Sequence, residues 1–254
     1  MEVWSPDGSS ATLPLVDPHA LAGALRADAE AFAAAAGLVP RDRPVPRCPG
    51  MAVDGLVRHL GGVHRLVARW ITAGRRPTTW DDCPEDTDLL DWYRIGVAAL
   101  LAVLDPARAA EPAATWCAGD RTLGFWLRRM AHETAVHRVD AQAASGMAAP
   151  LDARLAADGV DEVLRLWLGT HQPPRAHADG RAVALRVPGR EWTVALHPGV
   201  VDFCDGADPD TVVTGSSSAV DLWLWGRAGE EDLSIEGDPA AARALRAAVA
   251  AVTG

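Results

Sequence analysis

The apolar positions of the first 147 residues recur with the period of a helix, and no alternating strand pattern interrupts them. Asp17-Pro18 predicts a cap and first turn for a helix running to about Gly37, with Leu21, Leu25 and Phe32 among its apolar positions. A loop rich in proline and arginine follows. Asp54 stands near the start of a second run, in which Leu56, Leu60, Val63, Val67 and Trp70 recur at helical spacing before Gly74 and Pro77 end it. A third run spans about Glu85 to Leu104 and stops at Asp105-Pro106. The fourth starts near Thr122, a candidate N-cap, and runs to about Ser145-Gly146. Four helices with moderate connections predict an up-and-down or crossover-linked bundle.

Beyond Met147 the pattern changes. A helix is expected from about Leu151 to Leu168, broken by His171-Gln172-Pro173-Pro174. Ala182–Val187 and Glu191–Leu196 read as short strands joined through Pro188-Gly189 in a hairpin turn, and Asp210–Thr214 as a third. Ser216–Arg227 reads as an amphipathic helix, Leu233–Ile235 as a brief strand and Pro239–Val252 as a closing helix. The expected fold class is therefore α+β: a four-helix domain over residues 1–147, then a smaller α+β domain over 148–254. A length of 254 residues is comfortable for two cores.

Composition narrows the function classes. No apolar run approaches the roughly 18 residues that a membrane helix needs, and the N-terminus lacks the basic and apolar segments of an export signal, so a soluble cytoplasmic protein is expected. With 34 acidic and 24 basic residues the net charge is −10, which argues against capture of nucleic acid or anionic lipid. Cys48, Cys83, Cys117 and Cys204 form no C-x-x-C pair and read as thiols. Every basic residue is arginine and asparagine is absent, a bias that points to a GC-rich genome such as an actinobacterium's.

The most informative segment is Met130–Asp140 in the fourth helix. Glu133 and His137 are four apart, so their side chains leave the same face one turn apart and can reach a common ion. They share a stripe with Trp126, Met130 and Ala144, the face expected to point inward. His132 lies five residues before His137, roughly 140° away around the helix, so this is not the H-E-x-x-H pattern of zinc proteases. A carboxylate on an inward face needs a partner, since desolvating it alone costs several kcal/mol. A divalent cation would provide one. A structural Glu–His or Glu–Arg pair would equally do so, and spacing leaves both readings open. Asp140, three residues beyond His137, could orient that imidazole. A third ligand is expected from the second helix, where His59 and His64 are both candidates that periodicity does not separate. His19, His171, His177 and His197 fall near loops or strand ends and read as solvated.

Cys48-Pro49-Gly50, Leu56–Gly61 and His132–Asp140 together resemble the N-terminal domain of the mycothiol-dependent maleylpyruvate isomerases, a DinB-like four-helix bundle. Val213–Ser216, Asp221–Arg227 and Glu236-Gly237-Asp238 resemble the companion C-terminal domain, so the likeness covers nearly the whole chain. The resemblance implies a divalent metal, usually zinc, held by His59, Glu133 and His137. It also implies mycothiol as thiol cofactor or co-substrate, and a catalytic arginine at Arg227. A guanidinium there would suit a substrate carboxylate, although an arginine at a helix C-terminus also interacts with backbone carbonyls. Met51 departs from the aromatic residue that often follows Cys-Pro-Gly in the family.

Three ligands with an open position are the arrangement of a catalytic zinc site. A thiol entering there would ionise at neutral pH, add to the double bond of a small electrophile, and either leave after rotation, as in an isomerase, or stay attached, as in a transferase. A DinB-like metal-dependent hydrolase, and a metal-binding stress-response protein without turnover, are the alternatives.

Overall fold

The computed structural model describes residues 16–170 and 180–253, which divide into two compact units between Ala149 and Pro150. The sequence expectations for His171 and His177, and the break at 171–174, fall outside the described residues.

The first unit consists of α1 (Pro18–Gly37), α2 (Val53–Ala73), α3 (Leu89–Val103) and α4 (Leu123–Ser145), with a single 3-10 turn at Pro106–Arg108. Local chemistry sets their ends. The Asp17 carboxylate accepts from Ala20 N at 3.0 Å with Pro18 in the first turn, Asp88 accepts from Leu90 N and Asp91 N, and Thr122 accepts from Phe125 N at 3.2 Å. The third helix thus starts at Leu89 rather than near Glu85, because the Asp88 side chain takes up its orphan donors. Gly74 and Gly146 close α2 and α4 in the left-handed conformation, at φ 63° and 74°.

Phe32 of α1, Leu56 and Leu60 of α2, Leu89, Trp92 and Tyr93 of α3, and Ala141 and Ala144 of α4 form one buried cluster. Within it α2 and α3 approach closely at Gly61, where a Cβ would collide with the Trp92 ring.

The second unit carries α5 (Ala153–Glu162), which runs on into a π-helical turn at Val163–Leu168, then β1 (Ala182–Val187), β2 (Arg190–His197), β3 (Val200–Phe203), β4 (Thr211–Thr214), α6 (Ser217–Leu224), β5 (Ser234–Gly237) and α7 (Pro239–Thr253). The sheet order is β3-β2-β1-β4-β5, antiparallel throughout except for β1 beside β4. The expected turn at Pro188-Gly189 joins β1 to β2, with Val187 opposite Arg190 and Gly189 at φ 78°.

Two further features differ from the sequence expectation. The edge strand β3 was not expected: its side chains alternate only between exposed and half-buried, and Val200-Val201-Asp202-Phe203 carries no apolar–polar alternation in its sequence. The helix over 151–168 keeps its extent but widens in its last turn. The chain is α+β, and no helix among the described residues is long and apolar enough to cross a membrane.

Candidate metal centre

Helix α4 turns an unusually polar stripe inward. Arg129 and Asp140 are nearly inaccessible on it, alongside the buried apolar Trp126, Met130 and Ala144, and His132 and Arg138 are buried on other faces of the helix. Glu133 lies on this stripe with its side chain 18% exposed, and His137, one turn on, with 12%.

Around Glu133 three cationic or potentially cationic groups converge. Oε1 lies 3.3 Å from His137 Nε2 and 3.5 Å from His59 Nε2, whereas Oε2 accepts from Arg129 Nη2 at 3.0 Å. The His59 and His137 rings meet edge to face with centroids 5.1 Å apart. On α4, His137 Nδ1 is 2.9 Å from Asp140 Oδ2, so the carboxylate accepts the Nδ1 proton and turns Nε2 toward Glu133.

Burial pushes the Glu133 carboxyl upward, but the two imidazoles and the Arg129 guanidinium outweigh it and hold the group well below the usual carboxylate range. Burial pushes His137 downward, and its hydrogen bond to Asp140 and the nearby Glu133 carboxylate raise it instead to about 9. A protonated His137 and the Arg129 guanidinium together offset the Glu133 and Asp140 carboxylates.

The donor set suits a divalent ion. Two imidazole nitrogens and one carboxylate oxygen lie within 4.8 Å of one another. The separations from Glu133 Oε1, at 3.3 and 3.5 Å, exceed the ~2.7–2.9 Å of a charge-assisted hydrogen bond. They lie at or just beyond the ~3.3–3.4 Å that tetrahedral geometry sets between ligands bound at about 2.0–2.1 Å.

The structure brings His59, Glu133, His137 and Asp140 together and leaves His64 apart. His64 is fully buried, its Nε2 2.9 Å from Thr134 Oγ1, and burial pushes its pKa down to about 3. His19 and His197 are exposed. Arg227 lies just beyond α6 in the second unit, where its Nη1 donates to the Trp225 carbonyl at 2.8 Å, the contact expected of an arginine at a helix C-terminus. Met51 ends a turn closed by bonds to Cys48 and Val45, and its sulfur fills the space over Gly55 that a Cβ there would need.

Sequence reasoning missed two residues at the site. Arg129 stands four before Glu133 on the same stripe, so its spacing was a usable signal. Trp80 comes from the loop after α2, lies across Gly62 and stacks near His59 at 6.4 Å between centroids. Loop residues carry no period that would have found it.

Comparison with known proteins places both units. The family described as "Mycothiol maleylpyruvate isomerase N-terminal domain" matches residues 19–142, and the one described as "MDMPI C-terminal domain" matches residues 154–244. Two solved structures share the fold. One is a mycothiol-dependent maleylpyruvate isomerase carrying a histidine-to-alanine mutation, 16% identical, with a TM-score of 0.61. The other is that isomerase without the mutation, 17% identical, with a TM-score of 0.59. Each alignment covers 88% of this chain and 93% of the other. No curated protein sequence matches the chain significantly.

Proposed function

Because this chain belongs to the mycothiol-dependent maleylpyruvate isomerase family, we propose that it is an enzyme that uses mycothiol to isomerise or S-conjugate a small electrophile at a divalent metal, zinc in the first instance. One observation carries the reading: three ligand atoms from two helices converge within 4.8 Å, at separations from Glu133 that suit an ion better than hydrogen bonds. His59, Glu133 and His137 would hold it. Bound there, the cation would supply the positive charge that keeps a thiol deprotonated at neutral pH.

The protein's own groups prepare that site. Asp140 fixes the His137 tautomer, so Nε2 presents a lone pair. Arg129 occupies Glu133 Oε2 and leaves Oε1 as the donor that faces both imidazoles. Charge supports an anionic sulfur ligand. Among Glu133, Asp140, Arg129 and His137, the His137 proton balances the charges, and its exchange for a divalent ion leaves one positive charge in excess. A thiolate would balance it. Arg227 is proposed as the catalytic arginine that holds a substrate carboxylate or the enolate formed by addition, in the Trp-Gly-Arg segment matched by the family.

Incubation of the metal-loaded protein with mycothiol and maleylpyruvate, and separately with simple electrophiles, tests the reading, with isomers separated by chromatography and adducts identified by mass spectrometry. Isomerised product with mycothiol regenerated identifies an isomerase; a mycothiol adduct identifies a transferase. Turnover of a hydrolysable substrate that ignores mycothiol would refute the proposal.

A further inference from the structure

Trp80 is half exposed at 49%, although the fold holds its ring in a defined place. Its indole lies across the backbone of α2 at Gly62, where any Cβ would collide with the ring, and its plane is 26° from that of His59. The loop that carries it is strapped to α2 on both sides. Arg58 donates to Asp82 Oδ1 at 2.9 Å and to the Cys83 carbonyl at 3.2 Å. Arg69 pairs with Asp81 and donates to the carbonyl and hydroxyl of Thr79 at 2.9 and 3.0 Å. Arg58, Gly62 and Arg69 are spaced by four and seven residues, so they lie on one stripe of the helix.

A fixed indole beside a candidate metal ligand is thus left open to solvent, next to two anchored carboxylates that remain 38% and 65% exposed. An aromatic face attracts the weakly positive C–H face of a saturated ring, and carboxylates accept hydrogen bonds from hydroxyls. The ligand that satisfies both is a polyhydroxylated ring. Mycothiol carries its cysteinyl thiol on a glucosamine–inositol unit, so a sulfur at the metal would bring such rings to this wall.

We propose that Trp80, with Asp81 and Asp82, forms the subsite that binds the carbohydrate portion of the thiol. The inference rests on the mycothiol reading above and adds to it how this thiol is told from smaller ones.

Calorimetric titration of metal-loaded wild type, Trp80→Ala and Trp80→Phe with mycothiol and with N-acetylcysteine, which lacks the rings, tests it. Trp80→Ala is expected to weaken mycothiol about tenfold, equivalent to about 1.4 kcal/mol, and to leave N-acetylcysteine unchanged. Trp80→Phe should recover part of the loss. Metal content and far-ultraviolet circular dichroism should match wild type in both variants. If wild type prefers mycothiol and Trp80→Ala keeps that preference, the subsite is wrong and the mycothiol reading stands. Equal wild-type affinity for the two thiols would overturn both.

Discussion

Replacing Asp140 with Asn asks whether the carboxylate behind His137 acts through the imidazole. Asp140 is 1% exposed and its Oδ2 lies 2.9 Å from His137 Nδ1. The amide nearly preserves shape, so packing around α4 should survive. Its oxygen is a weaker acceptor, and its NH2, if turned to the ring, favours the tautomer with the proton on Nε2. Loss of such a partner weakens metal binding by about 10–100-fold, or about 1.4–2.7 kcal/mol.

A second effect opposes the first. In the metal-free protein the His137 pKa stands at about 9, so below that pH a cation must displace a proton. Removing Asp140 lowers that pKa and relieves the competition. The deficit of Asp140→Asn should therefore be small near pH 7 and widen as pH approaches 9. Competition for zinc against a chromophoric chelator, at several pH values, measures it directly. Affinities within twofold of wild type at pH 9, or a deficit that does not widen with pH, would refute the reasoning.

The adjacent glycines of α2 should separate stability from binding. Gly61→Ala drives a Cβ into buried Trp92 and should destabilise the protein by about 1–3 kcal/mol in urea denaturation. The atoms nearest a Cβ at Gly62 belong to the half-exposed Trp80, so Gly62→Ala should cost less stability than Gly61→Ala while the preference for mycothiol over N-acetylcysteine falls. For His64, the folded state keeps the ring neutral down to about pH 3 because burial disfavours its charge, whereas the unfolded chain takes up the proton near 6.5. Stability of the metal-free protein is thus complete above pH 6.5. It falls toward pH 3 by up to about 1.4 kcal/mol per pH unit from this group. His64→Gln should flatten that slope between pH 6 and 4, and an unchanged slope in denaturant midpoints would rule the group out.

Much of the fold was legible because its elements announce themselves locally. Asp17-Pro18, Thr122 and the glycines at 74 and 146 mark helix ends by capping chemistry that a sequence displays. Strand β3 was not legible, since Val200-Val201-Asp202-Phe203 is too short and shows no apolar–polar alternation to read. The same division runs through the site. Glu133, His137 and Asp140 sit on one helix, where spacing alone brings them together. His59 and His64 both border the apolar stripe of α2, and only the packed structure puts His59 against Glu133 and His64 against Thr134. Arg129 was accessible to the same periodic argument that found His137. Trp80 was not, because its place depends on how a loop folds back over Gly62.

The central claim is that His59, Glu133 and His137 hold a divalent metal. The most direct measurement is metal analysis by mass spectrometry on protein purified without a histidine tag, alongside Glu133→Ala and His59→Ala. The account predicts close to one zinc or similar divalent ion per chain in wild type, and its loss in both variants with the fold retained. Wild-type protein that stays metal-free after incubation with zinc, or variants that keep the ion in full, would contradict it.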